Sequence, residues 1–374
     1  MLTASVGAGH NQVARALLAS LGEQPGIKVE CADVLDFVPR AFRTLYAGGY
    51  VLGVTKLPWV YAAGFHLTNR PHRAGRAWSE RARLFTERRM LSRLGRHIES
   101  FRPDLIVNTH FLAAPYIGRL IALGLPLRQA VAVTDIEMHR WWYAENVERY
   151  FAPCEHTAWR LSGWSIPSDR IVISGIPVHP KWDAPGNRGT VIEQWHLPAD
   201  KKIVLLAGGA EFTCGPIVRV ARGIAAACDD AYVVVLGGRN KRLLARLASL
   251  SECPRRILGV GFTDRVNELV NVASLMVTKA GGITTAECLN THTPMVLMKP
   301  VGGQEDGNAR YLADNNAAVI ARQYRTIPDK TAAILRDDAS LERLAQGARA
   351  LARPGRQMVV NEIARMLNLP KNTP

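Results

Sequence analysis

The sequence predicts an α/β protein with two doubly wound domains that face each other across a cleft. Short apolar segments of strand type alternate with segments of helical periodicity along most of the 374 residues. At roughly 150 residues per domain this length fits two domains. A stretch rich in Pro, Gly and Trp at 175–200 indicates a linker. The predicted organisation is therefore a first domain at 1–174, a second domain at 201–340 and a final helical segment at 341–374.

The predicted elements begin with a short strand, Met1–Ser5, a glycine turn and a helix over His10–Leu21. So few residues precede the turn that we expect the natural chain to start a few residues earlier. The later strand candidates are short and apolar: Leu105–Asn108, Gln129–Thr134, Ile171–Ser174, Ile203–Ala207, Ala231–Leu236, Ile257–Val260, Leu275–Thr278 and Met295–Met298. Helical patterns at 214–228 and 240–250 lie between them, which indicates βαβ units in parallel sheets.

Charge and composition limit the function classes. The chain has 47 Lys and Arg against 32 Asp and Glu, and the net charge of +15 favours an anionic partner: nucleic acid, an anionic lipid surface or a phosphate-bearing substrate. With 48% hydrophobic and 21% charged residues, disorder is not predicted. The six cysteines form no CxxC pair and no zinc-finger spacing, which favours a reduced cytosolic protein, and no secretory leader is visible.

An apolar, aromatic stretch at 46–67 precedes a strongly basic one. Lys56 and Pro58 interrupt its centre, so we predict a buried or interfacial segment and not a membrane span. The segment 70–96 contains nine Arg and two Glu, and basic residues beside Trp and Tyr are typical of surfaces that bind anionic bilayers. The predicted membrane contacts include Trp59, Arg73, Arg76 and Arg81. A solvated arginine face and an RNA-binding patch are the alternatives, although no RNA-binding module accompanies the charge.

Two glycine-containing turns follow predicted strands at the sheet edge where doubly wound folds bind ligands. In the turn at 5–10, glycines allow close approach of a ligand and His10 opens the helix; capping is the alternative role for this histidine. In the turn at 279–287, two glycines and two threonines meet a helix N-terminus, which suits a diphosphate. Glu287, about one turn into that helix, suits a ribose diol, although an ordinary acid near a helix start is the alternative.

A third motif, 299–308, places Gln304, Glu305 and Asn308 in a glycine-flanked loop, which suits recognition of several sugar hydroxyls; a solvated polar loop is the alternative. Further glycine turns at 208–209 and 237–240 follow two more strands. Several such turns at one sheet edge favour a nucleotide.

Other chemistries have little support. No GxxxxGK[ST] motif occurs, which disfavours P-loop ATPases and kinases, and no GxSxG elbow supports a hydrolase triad. His110, Asp135, Glu137 and His139 match no standard metal-ligand spacing. Asp135 differs from the others because it ends a predicted strand, so we expect it to point into the cleft.

Taken together, these residues resemble the monogalactosyldiacylglycerol synthase and processive diacylglycerol glycosyltransferase family, within glycosyltransferase family 28. The resemblance spans most of the chain and rests on SVGAGHNQVARAL at 5–17, VTDIEMHRWW at 133–142, SGIPVHP at 174–180, GGRN at 237–240, GFTDRV at 261–266, KAGGITTAE at 279–287 and KPVGGQEDGNARYL at 299–312. It implies the GT-B fold of two Rossmann-like domains. The first domain binds the lipid acceptor and the membrane, the second binds the UDP-sugar, and the segment at 341–374 crosses back to the first.

The implied activity is inverting transfer of glucose or galactose from a UDP-sugar to the hydroxyl of diacylglycerol, with one or several sugars added. The implied enzyme is cytoplasmic and attached peripherally to the inner face of the cell membrane, where anionic lipids are further partners. It needs no tightly bound cofactor and no metal in the active site, and no nucleic acid partner is expected.

The resemblance also implies roles for individual residues. His10 is the general base on the acceptor hydroxyl, Asp135 has an orienting or basic role, and Gly9 lies on the acceptor side. The implied donor-binding residues are Phe262 at the uracil, Gly281, Gly282 and Thr284 at the diphosphate, Glu287 at the ribose, Gln304 and Glu305 at the sugar, and Asn308 as support for their loop. Gly208, Gly209 and Lys279 complete the predicted donor site.

The chain departs from the family pattern at two positions, Ala8 and Ala280, where relatives carry glycine and proline. Neither change removes a functional group, but the sugar and the acceptor stay open. Another lipid acceptor, such as a polyprenyl-linked intermediate, is the alternative enzyme, and a non-catalytic membrane- or RNA-binding protein is the remote alternative.

Overall fold

The computed structural model describes residues 1–7, 9–55, 57–69, 78–184, 186–208, 215–249, 256–300 and 302–369. The chain forms two compact units. The first unit comprises Met1–Pro180, Val301–Gln304 and Arg353–Pro374, and the second comprises Lys181–Pro300 and Glu305–Ala352. The chain therefore passes to the second unit after Pro180, inside the stretch predicted to be a linker.

The first unit contains, within its described residues, a six-stranded sheet whose pairings are all parallel. Its strands are β1 (Leu2–Thr3), β2 (Ala32–Asp33), β3 (Ile106–Asn108), β4 (Gln129–Ala132), β5 (Arg149–Ala152) and β6 (Ile171–Ile173). They lie in the order β2-β1-β3-β4-β5-β6. The winding direction reverses between β1 and β3, and such a switch point is where doubly wound sheets bind ligands.

Helices pack on this sheet and enclose an apolar core. They are α1 (Gly9–Leu21), α2 (Arg40–Thr55), α3 (Pro58–Thr68), α4 (Trp78–Met90), α5 (Ser92–Phe101), α6 (Ala114–Ala122) and α7 (Glu155–Gly163). One core cluster joins Leu94 and Ile98 of α5 to Leu2 of β1. A second cluster joins Val131 of β4 to the fully buried Trp142. Because the central strands are buried on both faces, they are continuous apolar runs and not alternating patterns.

The second unit contains, in the part of the chain described, another six-stranded parallel sheet. Its strands are β7 (Lys202–Ala207), β8 (Ala231–Gly238), β9 (Ile257–Gly261), β10 (Leu275–Thr278), β11 (Met295–Met298) and β12 (Ala318–Ala321). The order is β12-β11-β10-β7-β8-β9, so the switch point lies between β7 and β10. The register there pairs Leu275 with Val204.

The helices of the second unit follow the same alternation. They are α8 (Arg188–Gln194), α9 (Ile217–Ala227), α10 (Lys241–Ala248), α11 (Val266–Val272), α12 (Gly282–Asn290), α13 (Gln304–Asp314), α14 (Ile327–Arg336) and α15 (Asp338–Leu351). The core joins Val220 and Ile224 of α9 to Val233 of β8 and Val277 of β10. Gln304, the first residue of α13, groups with the first unit.

After α15 the chain returns to the first unit, where α16 (Gly355–Met366) packs on α1. Polar contacts fasten this helix. Arg356 Nη1 donates to Ser20 Oγ over 2.7 Å, and Arg149 Nε donates to Glu362 Oε1 over 2.8 Å. Arg128 Nη1 donates to the carbonyl oxygen of Met366 over 2.6 Å, close to the end of the helix.

The predicted α/β class with two doubly wound sheets is confirmed. Each predicted strand from Leu105–Asn108 onward is present with ends within two residues of the prediction. The sequence missed β2, β5 and β12, which are two to four residues long, and it placed no helix in 175–200. That stretch contains α8, whose N-cap Asn187 accepts from the Thr190 amide and whose Val191 and Ile192 are buried.

The apolar stretch predicted at 46–67 is divided between α2 and α3. In the described part of the chain, no helix combines the length and the apolar character that a bilayer crossing requires.

Candidate functional site

The first site surrounds His10, the second residue of α1, at the switch point of the first sheet. His10 Nδ1 lies 3.0 Å from the carbonyl oxygen of Thr109, which follows β3. It also lies 2.9 Å from Oγ1 of Thr134, which follows β4. Because a carbonyl oxygen only accepts, Nδ1 carries the ring proton and donates it, and Nε2 keeps its lone pair. This tautomer leaves Nε2 available as a base.

Burial keeps the His10 ring uncharged. Desolvation lowers its pKa from 6.5 to about 4, although the bond to Thr109 opposes the shift. The ring of His110 meets it edge to face, with centroids 4.5 Å apart, and the pKa of His110 is also well below its usual value because of burial and the neighbouring His10. The fully buried Trp142 lies 6.0 Å from the His10 ring. His10 is therefore neutral at pH 7.

The turn that presents His10 is held by side chains from its own segment. Thr3 Oγ1 donates to Asn11 Oδ1, and Asn11 Nδ2 donates to Ser5 Oγ, both over 2.9 Å. The Ser5 amide in turn points at the Asp33 carboxylate, 3.2 Å away. Gly7 has φ +78°, a conformation that glycine adopts without strain. Gly9 is the first residue of α1.

Asp135 directly follows Thr134, so it lies at the same edge of the sheet as His10. It is half-buried, and its Oδ2 accepts from Gln304 Nε2 over 3.3 Å.

The other acids and histidines of that segment make separate contacts. Glu137 pairs with His156 and Arg160, and His139 Nε2 lies 2.9 Å from Thr68 Oγ1. Among the described residues, no group of three His, Cys, Asp or Glu side chains is placed to hold a metal ion.

The second site lies at the switch point of the second sheet, between β7 and β10. Gly208 follows β7, and Lys279, Ala280 and Gly281 follow β10. Gly281 is the N-cap of α12 in extended conformation, and within the described structure no side chain caps this helix start. The first N–H groups of α12 thus keep hydrogen-bonding capacity at the positive end of the helix dipole. Such a helix start binds phosphate groups.

Glu287 lies farther along α12 and is half-buried. Burial raises its pKa from 4.5 to about 8, while Lys181 acts in the opposite direction. Lys181 lies near α12 because the neighbouring Trp182 is buried and its carbonyl oxygen accepts from Asn290 Nδ2 over 2.8 Å. Glu287 is therefore mostly protonated at pH 7.

The segments that follow β10 and β11 are joined to each other at this site. Gln304, Glu305 and Asn308, which the sequence placed in a loop, lie instead in the first two turns of α13. Lys279 Nζ lies 2.8 Å from Glu305 Oε1, and both side chains are 19% exposed. Asn308 is fully buried and donates from Nδ2 to the carbonyl oxygen of Ala280 over 2.9 Å. The start of α13 is thereby fixed to the segment that leads into α12.

Phe262 follows β9 and exposes 65% of its surface. The guanidinium of Arg239 stacks on the ring, 3.9 Å from its centroid. The two form an exposed flat surface of the kind on which a planar base stacks.

The remaining predicted residues fall into two groups. Thr284 is half-buried in the first turn of α12, and Trp59 of α3 exposes 73% of its surface. Gly209, Arg73 and Arg76 lie outside the described residues, and for Arg81 only the backbone, within α4, is described.

Sequence reasoning assigned no role to several residues at these sites: Thr109, Thr134, Lys181, Arg239 and Tyr61. Thr134 is the last residue of a predicted strand and Thr109 directly follows another, and these positions at the edge of the sheet were the available signal. Arg239 lies in the GGRN motif, although its stacking on Phe262 joins segments that are distant in sequence.

Comparison with known proteins identifies the class. Residues 10–178 match the family Monogalactosyldiacylglycerol (MGDG) synthase, and residues 217–362 match the Glycosyltransferase family 28 C-terminal domain. A similar protein is the processive diacylglycerol beta-glucosyltransferase of Bacillus cereus, 29% identical over 361 residues, which cover 95% of this chain and 89% of that protein.

Solved structures agree on the fold. MurG of Acinetobacter baumannii superposes with a TM-score of 0.64 at 18% identity, covering 98% of both chains. S. aureus MnaA, in a co-structure with UDP, has a TM-score of 0.60 at 14% identity, covering 100% of this chain and 98% of its own. The fold is GT-B. The resemblance to the monogalactosyldiacylglycerol synthase and family 28 glycosyltransferases is thus confirmed by two family models, which match successive parts of the chain, and by the Bacillus relative.

Proposed function

We propose that this glycosyltransferase moves a hexose, glucose or galactose, from a UDP-sugar to the hydroxyl of diacylglycerol with inversion at the anomeric carbon. The observation that carries the proposal is the neutral His10 with its proton on Nδ1, at the edge of the sheet that also presents Asp135. The name of the Bacillus relative supports the acceptor, and the UDP co-structure of a protein with the same fold supports the donor.

In the proposed reaction, Nε2 of His10 accepts the proton of the acceptor hydroxyl as the oxygen attacks the anomeric carbon. The bond to UDP breaks on the opposite face, which inverts the configuration. The charge that develops on the departing diphosphate is stabilised by the N–H groups at the start of α12. The proton ends on His10, and the Asp135 carboxylate, which follows a strand at the same edge of the sheet, stabilises the resulting cation.

Most of the donor residues are assigned from their places in the second site. Gly209, which lies outside the described residues, and Gln304, which groups with the first unit, are assigned from the family resemblance. Gly281, Gly282 and Thr284 form the start of α12 and are assigned to the diphosphate, together with Gly208 and Gly209 after β7. Phe262 is assigned to the uracil, Glu287 to the ribose hydroxyls, and Gln304 and Glu305 to the sugar. Lys279 and Asn308 are assigned to the support of the first turns of α13.

The membrane surface is assigned to α3 and α4 of the first unit. Several large apolar side chains are exposed there, and bilayer lipid is the occupant that an apolar surface beside arginines fits. The exposed residues are Trp59, Val60 and Leu67 of α3 and Phe85 of α4, together with Leu52 of α2 and Leu57, the N-cap of α3. The chain segment 70–96 has an excess of seven positive charges, which anionic lipids of the inner leaflet attract. We therefore expect the enzyme to work at the cytoplasmic face of the membrane.

The test is a transfer assay with diacylglycerol in vesicles of phosphatidylglycerol and phosphatidylcholine, with labelled UDP-glucose and UDP-galactose supplied separately. We expect a glycolipid from one donor, and the number of sugars on the product reports processivity. Transfer should be faster, and more protein should sediment with the vesicles, when phosphatidylglycerol is included. No product from either donor, with UDP still bound, would reject diacylglycerol in favour of another lipid acceptor such as a polyprenyl-linked one.

A further inference from the structure

The loop before α13 lies against helix α3 at unusually short range. A Cβ atom on Gly302 would be 2.6 Å from the Cβ of Ala62, and one on Gly303 would be 2.9 Å from Cγ of Phe65. Gly303 also has φ +97°, which side-chain-bearing residues rarely adopt. Two glycines are therefore required for this approach, and the approach brings the next residue, Gln304, to α3.

Gln304 joins α3 to the first site. Its Oε1 accepts from the hydroxyl of Tyr61 over 2.8 Å, and its Nε2 donates to Asp135 Oδ2 over 3.3 Å. The two bonds together orient the amide, because exchanging its oxygen and nitrogen would break the bond to the carboxylate. An amide has a second N–H and a second lone pair, so Gln304 still has one of each for a sugar hydroxyl.

Helix α3 has two different faces. Its inner face holds Tyr61, Ala62 and the buried Phe65, and its C-terminal end is fixed by Asn69 Oδ1, which accepts from the Arg140 amide over 2.7 Å. The opposite face exposes apolar side chains, among them Trp59 at 73% and Leu67 at 62%. The helix that supports Gln304 is thus also part of the proposed membrane surface.

We propose that Tyr61 is a positioning residue for the transfer reaction, which holds Asp135 in place through Gln304. This inference rests on the proposed function. Without the tyrosine hydroxyl, Gln304 loses the bond that fixes its orientation, and Asp135 loses a fixed donor at the edge of the sheet where His10 lies. Because Tyr61 belongs to α3, lipid that contacts the outer face of this helix acts on the element that holds Tyr61.

The main experiment compares Tyr61→Phe with the wild type in the vesicle assay. We expect kcat to fall by roughly three- to tenfold, as for the loss of one hydrogen bond to a charged site. UDP affinity should not change, because UDP lacks the sugar and Tyr61 lies in the other unit. Tyr116→Phe on α6 is the matched control, since it removes a tyrosine hydroxyl of the same unit outside the site, and its kcat should equal that of the wild type.

Two further variants separate positioning from general damage. Gln304→Glu keeps an acceptor for Tyr61 but places a second negative charge beside Asp135, so kcat should fall more than in Tyr61→Phe. In a Gln304→Ala background, Tyr61→Phe should cost less than it does in the wild type, because the link through Gln304 is already broken. An unchanged kcat in Tyr61→Phe, or equal losses with and without Gln304, would overturn the proposal.

A measurement that needs no turnover keeps this result separate from a failure of the proposed function. If the wild type transfers no sugar, thermal unfolding is measured for the same two single variants and the double variant. Tyr61→Phe and Gln304→Ala should each lower the unfolding temperature by ~1–3 °C, and the double variant should lower it by less than the sum of the two single effects. Additive shifts would show that the two residues are not coupled.

Discussion

Each unit contains a half-buried titratable group, and desolvation shifts the pKa values of the two groups in opposite directions. Each group lies near the switch point of its own sheet, and each is kept neutral at pH 7 by desolvation. In the first unit burial lowers the pKa of His10 to about 4, and in the second it raises the pKa of Glu287 to about 8. Desolvation favours the neutral form of both groups. Neutral histidine is a base, whereas a neutral carboxyl group carries no negative charge, so one physical cause prepares two different functions.

The difference suits the two proposed tasks. A general base must be unprotonated before it reacts, so a lowered histidine pKa keeps the reactive form populated. A carboxyl group on the helix that binds a diphosphate must not repel it. Protonated Glu287 avoids this repulsion and offers both a donor and an acceptor to ribose hydroxyls.

The largest expected effect is on turnover, and it distinguishes the first site from the nucleotide site. His10→Ala should lower kcat by roughly 10²- to 10⁴-fold, since it removes the proposed base. UDP affinity, measured by titration calorimetry, should stay at the wild-type value, because the second unit is untouched. His97→Ala is the control: this histidine of the first unit pairs with Glu30 at 3.1 Å. Turnover that survives in His10→Ala would remove this residue from the role of base.

The next effect is on nucleotide binding. Glu287→Ala should weaken UDP binding by roughly 10- to 100-fold, as for the loss of one or two buried hydrogen bonds. Glu287→Gln should bind UDP at pH 7 nearly as the wild type does, because an amide is neutral and both donates and accepts, as the protonated carboxyl does.

Calorimetry at pH 7 measures both variants, with the exposed Glu193→Gln on α8 as a control for charge. Equal weakening in the alanine and glutamine variants of Glu287 would mean that the ionised carboxylate is the form that binds. Wild-type affinity in Glu287→Ala would remove the residue from the nucleotide site.

Local sequence patterns were sufficient for the glycine turns and strand ends of both units. His10, Asp135 and Gly281 are recognisable because each adjoins an apolar strand, and the edge of the sheet follows from that. The tautomer of His10 was not predictable, since Thr109 and Thr134 approach it from about 100 residues away. Such contacts depend on strand order, which short apolar segments do not specify.

The same limit applies to the second unit and to the loop before α13. Lys181 lowers the pKa of Glu287 although about 100 residues separate them in sequence. Gln304 groups with the first unit although the next residue, Glu305, belongs to the second, and sequence neighbours alone do not predict this. The short strands β5 and β12 were missed for a different reason. Each has four residues, of which only the central two, Tyr150-Phe151 and Val319-Ile320, are strong strand formers, and parallel neighbours on the sheet stabilise them.

The smallest expected effect is on stability, and it has opposite pH dependence in the two units. Unfolded His10 binds a proton below pH 6.5 and folded His10 only below about 4, so its contribution to the free energy of unfolding falls as the pH drops from 6.5 to 4. Folded Glu287 keeps a proton up to about pH 8 that the unfolded chain releases above 4.5, so stability falls as the pH rises through that range.

Neutral substitutions remove these dependences one at a time. His10→Gln should gain stability over the wild type at pH 5 and show no such gain at pH 8, whereas Glu287→Gln should gain at pH 8 and lose its advantage near pH 4.5. The gains should be roughly 1–3 kcal/mol, measured by urea unfolding at the two pH values. If both variants respond to pH in the same direction, burial does not act oppositely in the two units, and the neutral forms of His10 and Glu287 lose their common explanation.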